Sequence, residues 1–107
     1  MTKATRTQVQ IGSLAVDGFM LRDGSYRISE VSTADAVGKS QEDLERYLDA
    51  IEVEPESVED VPVVSLSNAM YFWQFEAARG NSQAQKLIQG LFSAALTERI
   101  EKSFGPE

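Results

Sequence analysis

The sequence predicts an α+β domain: an N-terminal antiparallel β-meander with two short helices, a returning strand, and two C-terminal helices packed on the sheet. Apolar and polar residues alternate up to Ile28, and two Asp-Gly dipeptides, Asp17-Gly18 and Asp23-Gly24, punctuate the alternation. Beyond Ile28 the apolar spacing changes to that of helices. With 107 residues the chain is read as one domain, positions 1–107, large enough to bury a core without a covalent or metal staple.

The elements follow in order. Positions 1–7 carry no apolar pattern and read as a flexible N-terminus. Val9, Ile11, Leu14 and Val16 alternate as a half-buried strand does, and Asp17-Gly18 is the expected turn into a second strand at Phe19 and Leu21. Asp23-Gly24 then turns into a third strand at Tyr26 and Ile28. A type I′ turn, with positive φ at both central residues, suits each dipeptide. Ser32 or Thr33 is positioned to cap a short helix over "TADAV", which Gly38 stops in the left-handed conformation. Ser40 and Asp43 have the spacing of a capping box, opening a second helix with Leu44, Leu48 and Ile51 on one face. Two short helices across Gly38-Lys39 fit either a helix-turn-helix or a plain helical hairpin. Positions 52–62 form an acidic, proline-marked loop, and "VPVVSL" returns as a strand. Ser65 or Ser67 caps a helix that ends at Gly80. Asn81 or Ser82 opens the last helix, about 33 Å long, which Gly105-Pro106 terminates.

Composition restricts the chemistry. Cysteine and histidine are both absent, which removes disulfides, thiolate metal sites, Ser-His and Cys-His nucleophiles and the neutral-pH switch. Glu52, Glu54 and Glu56 share one face of an extended chain. A catalytic carboxylate pair, however, needs a rigid pocket that separates two pKa values, and a polar loop does not supply one. The expectation is a non-enzymatic protein without cofactor or metal. The sequence contains no stretch near twenty apolar residues, so no membrane partner is expected and the chain reads as cytoplasmic.

The net charge of −7 is concentrated. Positions 41–62 hold nine acidic side chains against Arg46 alone, whereas the flanking segments are near neutral. Either this is a solvated helix face running into a charged loop, or Glu42, Asp43, Glu45 and Asp49 form a surface for a basic partner. The C-terminal helices are apolar on more sides than one small core requires. Tyr71, Phe72 and Phe75 surround the first, and Leu87 and Leu91 mark one of two apolar lines on the last. A homodimer through these five residues is one expectation, and enclosure within a single domain is the other.

From Gln8 to Gly105 the chain resembles the N-terminal domain of the Bro family, a DNA-binding module of baculovirus repeat-gene proteins and phage antirepressors related to the KilA-N domain. "LRDGSYRISEVSTADAVGKSQEDLERYL" resembles that family's strand, D-G turn and two helices around a G-x-S. "VVSLSNAMYFWQFEAARGNSQAQKLIQGLFSAALTERIEKSFG" resembles its closing pair of helices. The resemblance implies DNA binding or control of a repressor in phage or mobile-element biology. It places Lys39, Ser40 and Gln41 at a helix N-terminus facing a phosphate, with Arg22 and Arg27 on the flanking hairpin and Arg46 offsetting the helix's acids. The helix itself departs from the pattern, because Glu42, Asp43, Glu45 and Asp49 repel a phosphate backbone. Two functions follow: a DNA-contacting transcriptional regulator or antirepressor, and an acidic module that occupies the basic surface of a nucleic-acid-binding protein.

Overall fold

In the computed structural model, which describes residues 4–11 and 14–103, the elements run β1 (Thr5–Ile11), β2 (Leu14–Met20), β3 (Tyr26–Ser29), α1 (Glu30–Asp35), α2 (Gln41–Ala50), β4 (Glu56–Val58), β5 (Val61–Ser65), α3 (Leu66–Ala78) and α4 (Ser82–Ser103). The strands make one antiparallel sheet in the order β1-β2-β3-β5-β4. The expected α+β architecture is present, with β5 as the returning strand beside β3.

The meander forms, but its first turn is displaced. Asp17 and Gly18 lie inside β2, opposite Gln8 and Thr7, and the strands are joined beyond the Ile11–Leu14 pair through positions outside the described residues. Alternation itself marks the break: Val9 and Ile11 are odd-numbered and Leu14 and Val16 even-numbered, so one continuous strand would place them on opposite faces. Gly18 serves packing here. A Cβ at this position would lie 2.8 Å from Val9 Cγ2, so the valine leans across space that a side chain would fill. The Asp23-Gly24 turn falls where expected, but only Gly24 has positive φ (89°). Asp23 instead accepts from the Ser25 backbone N–H (2.9 Å) and hydroxyl (2.6 Å), an Asx-type turn.

A type I′-like geometry occurs elsewhere. Within the expected 52–62 loop, β4 and β5 form a hairpin whose central residues Glu59 (φ 52°) and Asp60 (φ 68°) are both left-handed. Glutamate in that region costs roughly 1–2 kcal/mol relative to glycine or asparagine, whereas aspartate tolerates it better. Replacing Glu59-Asp60 by Asn-Gly is therefore expected to stabilise the domain by about 1–2 kcal/mol, measured as a higher urea midpoint with unchanged slope. At the other end of the chain Thr5–Thr7 belong to β1, so the strand reaches into the segment expected to be flexible.

Helix starts follow their caps. Ser29, rather than Ser32 or Thr33, caps α1 by accepting from Ser32 N (3.1 Å). Ser32 Oγ accepts instead from Asp17 N (3.0 Å), joining α1 to β2. Gly38 makes the left-handed stop (φ 71°), and a side chain there would meet Gln83. The Ser40–Asp43 capping box opens α2, Ser65 caps α3, and Asn81 Oδ1 accepts from Ala84 N (3.0 Å) at the start of α4. The stop expected at Gly105-Pro106 lies outside the described residues.

The core sits between one sheet face and the helices. Val16, Ile28 and Val64 rise from the sheet to meet Ala34 and Val37, Leu44 and Leu48 of α2, Phe72 and Trp73 of α3, and Leu87 of α4. Leu44 and Leu48 hold α2 down on one side. Ile51 falls just past the helix end and is exposed. That anchoring fixes which α2 side chains face outward.

Candidate functional site

Two clefts flank α2. On one side, a groove of about 390 Å³ between α2 and α3 is lined by Lys39, Asp43, Arg46, Tyr47, Ile51, Phe72, Phe75, Glu76 and Arg79 among others. Its floor is aromatic. The Tyr47 ring lies 5.3 Å from Phe72 and 4.8 Å from Phe75 in tilted contacts, and the Arg79 guanidinium lies 5.1 Å over Phe75. Burial pushes the Tyr47 phenol above its ordinary pKa, with a smaller contribution from Tyr71. At the rim Lys39 Nζ is 3.9 Å from Glu76 Oε1, and Arg46 Nη1 is 3.2 Å from Asp43 Oδ1. Glu76 is buried and also accepts from Asn81 Nδ2 (3.2 Å).

On the other side, Glu30, Glu45, Leu48, Asp49, Val53 and Pro55 line a cleft of about 360 Å³. Three carboxylates surround an apolar floor, and no lysine or arginine is among its lining residues. Gln41 Nε2 stands between two of them, 3.1 Å from Glu30 Oε1 and 3.4 Å from Glu45 Oε2. Burial raises the Glu30 pKa, the adjacent Glu45 raises it further, and Gln41 opposes the shift. A carboxyl whose folded pKa exceeds its unfolded value binds its proton more tightly when folded. Its destabilising effect is therefore absent below the unfolded pKa and grows as pH rises through the folded one. Glu30→Gln is accordingly expected to raise the melting temperature near neutral pH. That gain should shrink as pH falls toward about 4.5, the ordinary glutamate range. Paired thermal melts across that interval check it.

The residues expected to contact nucleic acid lie on several elements. Lys39 and Arg46 line the aromatic groove. Arg27 sits on β3, where Nε lies 2.9 Å from both Glu56 carboxylate oxygens and Nη1 donates to Ser25 Oγ and the Tyr26 carbonyl. Arg22 lies in the exposed β2–β3 loop and lines neither cleft. The α2 N-terminus is already occupied by an anion. Asp43 accepts from the Ser40 N–H (3.1 Å) and hydroxyl (2.9 Å), while Ser40 Oγ accepts from Asp43 N (3.1 Å). These hydrogen bonds hold the Asp43 carboxyl below the usual aspartate range, and a phosphate would have to displace it. Gln41 is turned to Glu30 and Glu45.

The acidic set divides too. Asp43 belongs to the aromatic groove, Glu45 and Asp49 to the acidic cleft, and Glu42 is exposed between them. Among the described residues no group of three or more acidic side chains is placed to hold an ion. The surface expected to receive a second copy is smaller than the sequence implies. Phe72 (1% exposed) and Leu87 (6%) are core residues, and Leu91 packs partly against that core. Tyr71 and Phe75 remain exposed, and Phe75 belongs to the groove.

Sequence reasoning missed Glu30, Tyr47, Glu76 and Arg79. Tyr47 stands one turn after Asp43, and Arg79 one turn after Phe75, so helical spacing carried a signal for both. Glu76 likewise stands one turn after Phe72, whereas Glu30 comes to its site through tertiary packing alone. Among the described residues no helix is long and apolar enough to cross a membrane. Comparison with protein-family models, with curated proteins and with solved structures finds no match to this chain.

Proposed function

We propose that this domain is a non-enzymatic protein-binding module. Its acidic face is set against the basic surface of a nucleic-acid-binding protein, with one lysine or arginine side chain entering the cleft at Glu30, Glu45 and Asp49. The observation that carries this reading is the condition of the cleft. Burial and the neighbouring Glu45 both disfavour the charged form of Glu30, a single amide stands between these two side chains, and Asp49 lines the same cleft. An entering cation relieves the repulsion, and Leu48, Val53 and Pro55 supply the apolar wall along which an alkyl stem lies. Glu42, Glu52 and Glu54, exposed nearby in sequence, steer such a partner over a longer range. The Bro-N resemblance makes that partner a repressor or other DNA-binding regulator, with the domain as an antirepressor or DNA-mimicking inhibitor.

A direct DNA contact has less support. Arg27, Lys39 and Arg46 each face a carboxylate of their own chain, and each phosphate contact would first have to break one of those pairs. Calorimetric titration with an arginine-rich peptide of about twelve residues separates the readings. Binding should weaken with salt and fall about tenfold or more, at least 1.4 kcal/mol, in the Glu45→Gln, Asp49→Asn double variant. A duplex of about twenty base pairs should not be retained in a mobility assay. Salt-sensitive retention of the duplex, or peptide binding indifferent to the double variant, would sink the proposal.

A further inference from the structure

The two edges of the sheet are unlike. Edge strand β4 is three residues long, follows Pro55, and is surrounded by Glu54, Glu56, Glu59 and Asp60. Short length, proline and like charge are the ordinary means of keeping a foreign strand away. Edge strand β1 has none of them. It runs for seven residues, TRTQVQI, without proline, glycine or acid, and Thr5 to Gln10 are all exposed. Its one charge is directed inward. Arg6 Nη2 and Nε hold the two Asp17 carboxylate oxygens of β2 at 2.6 and 3.0 Å, and the guanidinium lies 5.2 Å over the Phe19 ring. Among the described residues β1 has a neighbouring strand on one side only, and although α4 approaches it, its other edge offers a neutral ladder of backbone groups. The sheet face beside it holds an apolar hollow of about 390 Å³ whose lining includes Val9, Met20, Tyr26 and Leu66, each at least 40% exposed.

We infer that β1 pairs antiparallel with β1 of a second copy, joining two five-stranded sheets into one. The strand's own pattern favours a copy of itself. In a two-fold pairing centred on Gln8, Gln8 faces Gln8, Thr7 faces Val9 and Arg6 faces Gln10. No two charges are then directly opposed, and the two arginines stand four residues apart along the strand, about 14 Å, beyond the physiological screening length. For a chain of net charge −7, this neutral edge is where two copies approach with least repulsion. On the grooved face, Val9 of each copy stands beside Thr7 of the other and extends the wall of its hollow. The acidic cleft beside α2 plays no part, so this inference and the proposed function stand or fall separately.

Charge exchange at the two-fold centre is the test. Sedimentation equilibrium of the whole chain at about 10–200 µM should give a dimer. Gln8→Lys and Gln8→Glu, each checked for wild-type circular dichroism, should each raise the dimer dissociation constant at least about tenfold, because like charges then meet across the centre. An equimolar mixture of the two variants should regain the dimer as a heterodimer. A wild-type mass of 11.8 kDa throughout overturns the inference and leaves the edge to a strand of another protein. So does a dimer indifferent to Gln8 that Tyr71→Lys dissociates, which would place the contact on α3.

Discussion

Replacing Trp73 by alanine is expected to lower stability by about 3–5 kcal/mol, the range for emptying the site of a fully buried large aromatic. Trp73 is 1% exposed, and its Nε1–H donates to the Thr33 carbonyl at 2.9 Å. The indole thus fills the core under α3 and ties that helix to α1, and truncation leaves a buried carbonyl without its donor. Trp73→Phe separates the contributions. It restores most of the volume while omitting the hydrogen bond, and should recover all but about 1–3 kcal/mol. Urea titrations of the three proteins check the order, and a wild-type midpoint for the alanine variant would contradict the burial.

The second large effect is expected at Gly18, where valine should cost about 1–3 kcal/mol through overpacking against Val9. The cost belongs to a pair rather than to a position. Val9→Ala opens the space the new side chain needs, so the double variant should be more stable than the sum of the single changes implies. Additive losses would show that the valine at position 18 clashes with backbone instead. Hydrogen exchange at β1 amides reports the same event, because Val9 and Gly18 join β1 to β2.

Several local rules made the fold legible, although the α1 cap falls at Ser29 rather than at Ser32 or Thr33. The Ser40–Asp43 box, the Gly38 stop and the Ser65 cap are short-range hydrogen-bonding arrangements, and their residues stand within three positions of one another or act singly. Asp17-Gly18 was misread because a glycine that makes room for a neighbouring strand looks the same in sequence as one that makes a turn. The phase shift between Ile11 and Leu14 was the better signal. Glu59-Asp60 was missed because glutamate does not advertise positive φ and no glycine follows the aspartate; the paired Val58 and Val61 on either side hold the turn in place. The candidate site was legible in part, through Glu45 and Asp49. An acidic α2 was evident, but Glu30 lies eleven positions before Gln41 and reaches its cleft only when α1 packs beside α2. Phe72 and Phe75, three positions apart on one helix, both line the groove, but Phe72 is buried in the core beneath it whereas Phe75 is exposed.

Ser29 and Ser65 each end a strand and cap the next helix, so β3 passes into α1 and β5 into α3 with no linker at either junction. Because Arg27 pairs with Ser65 and Ser29 with Val63, the two helices depart from opposite ends of adjacent strands. This dictates where the chain tolerates a change of length. One residue inserted at either junction rotates the helix beyond it by about 100° and advances it about 1.5 Å, carrying Trp73 or Ala34 off the core. The connections at positions 22–24 and 53–55 are themselves less tolerant than their exposure suggests, because Leu21, Asp23, Gly24 and Ser25 close the β2–β3 turn by hydrogen bonds and Val53 packs on the core beside Pro55 in the acidic cleft. Fusion tags, reporter loops or crosslinking handles should therefore be rejected at both serines.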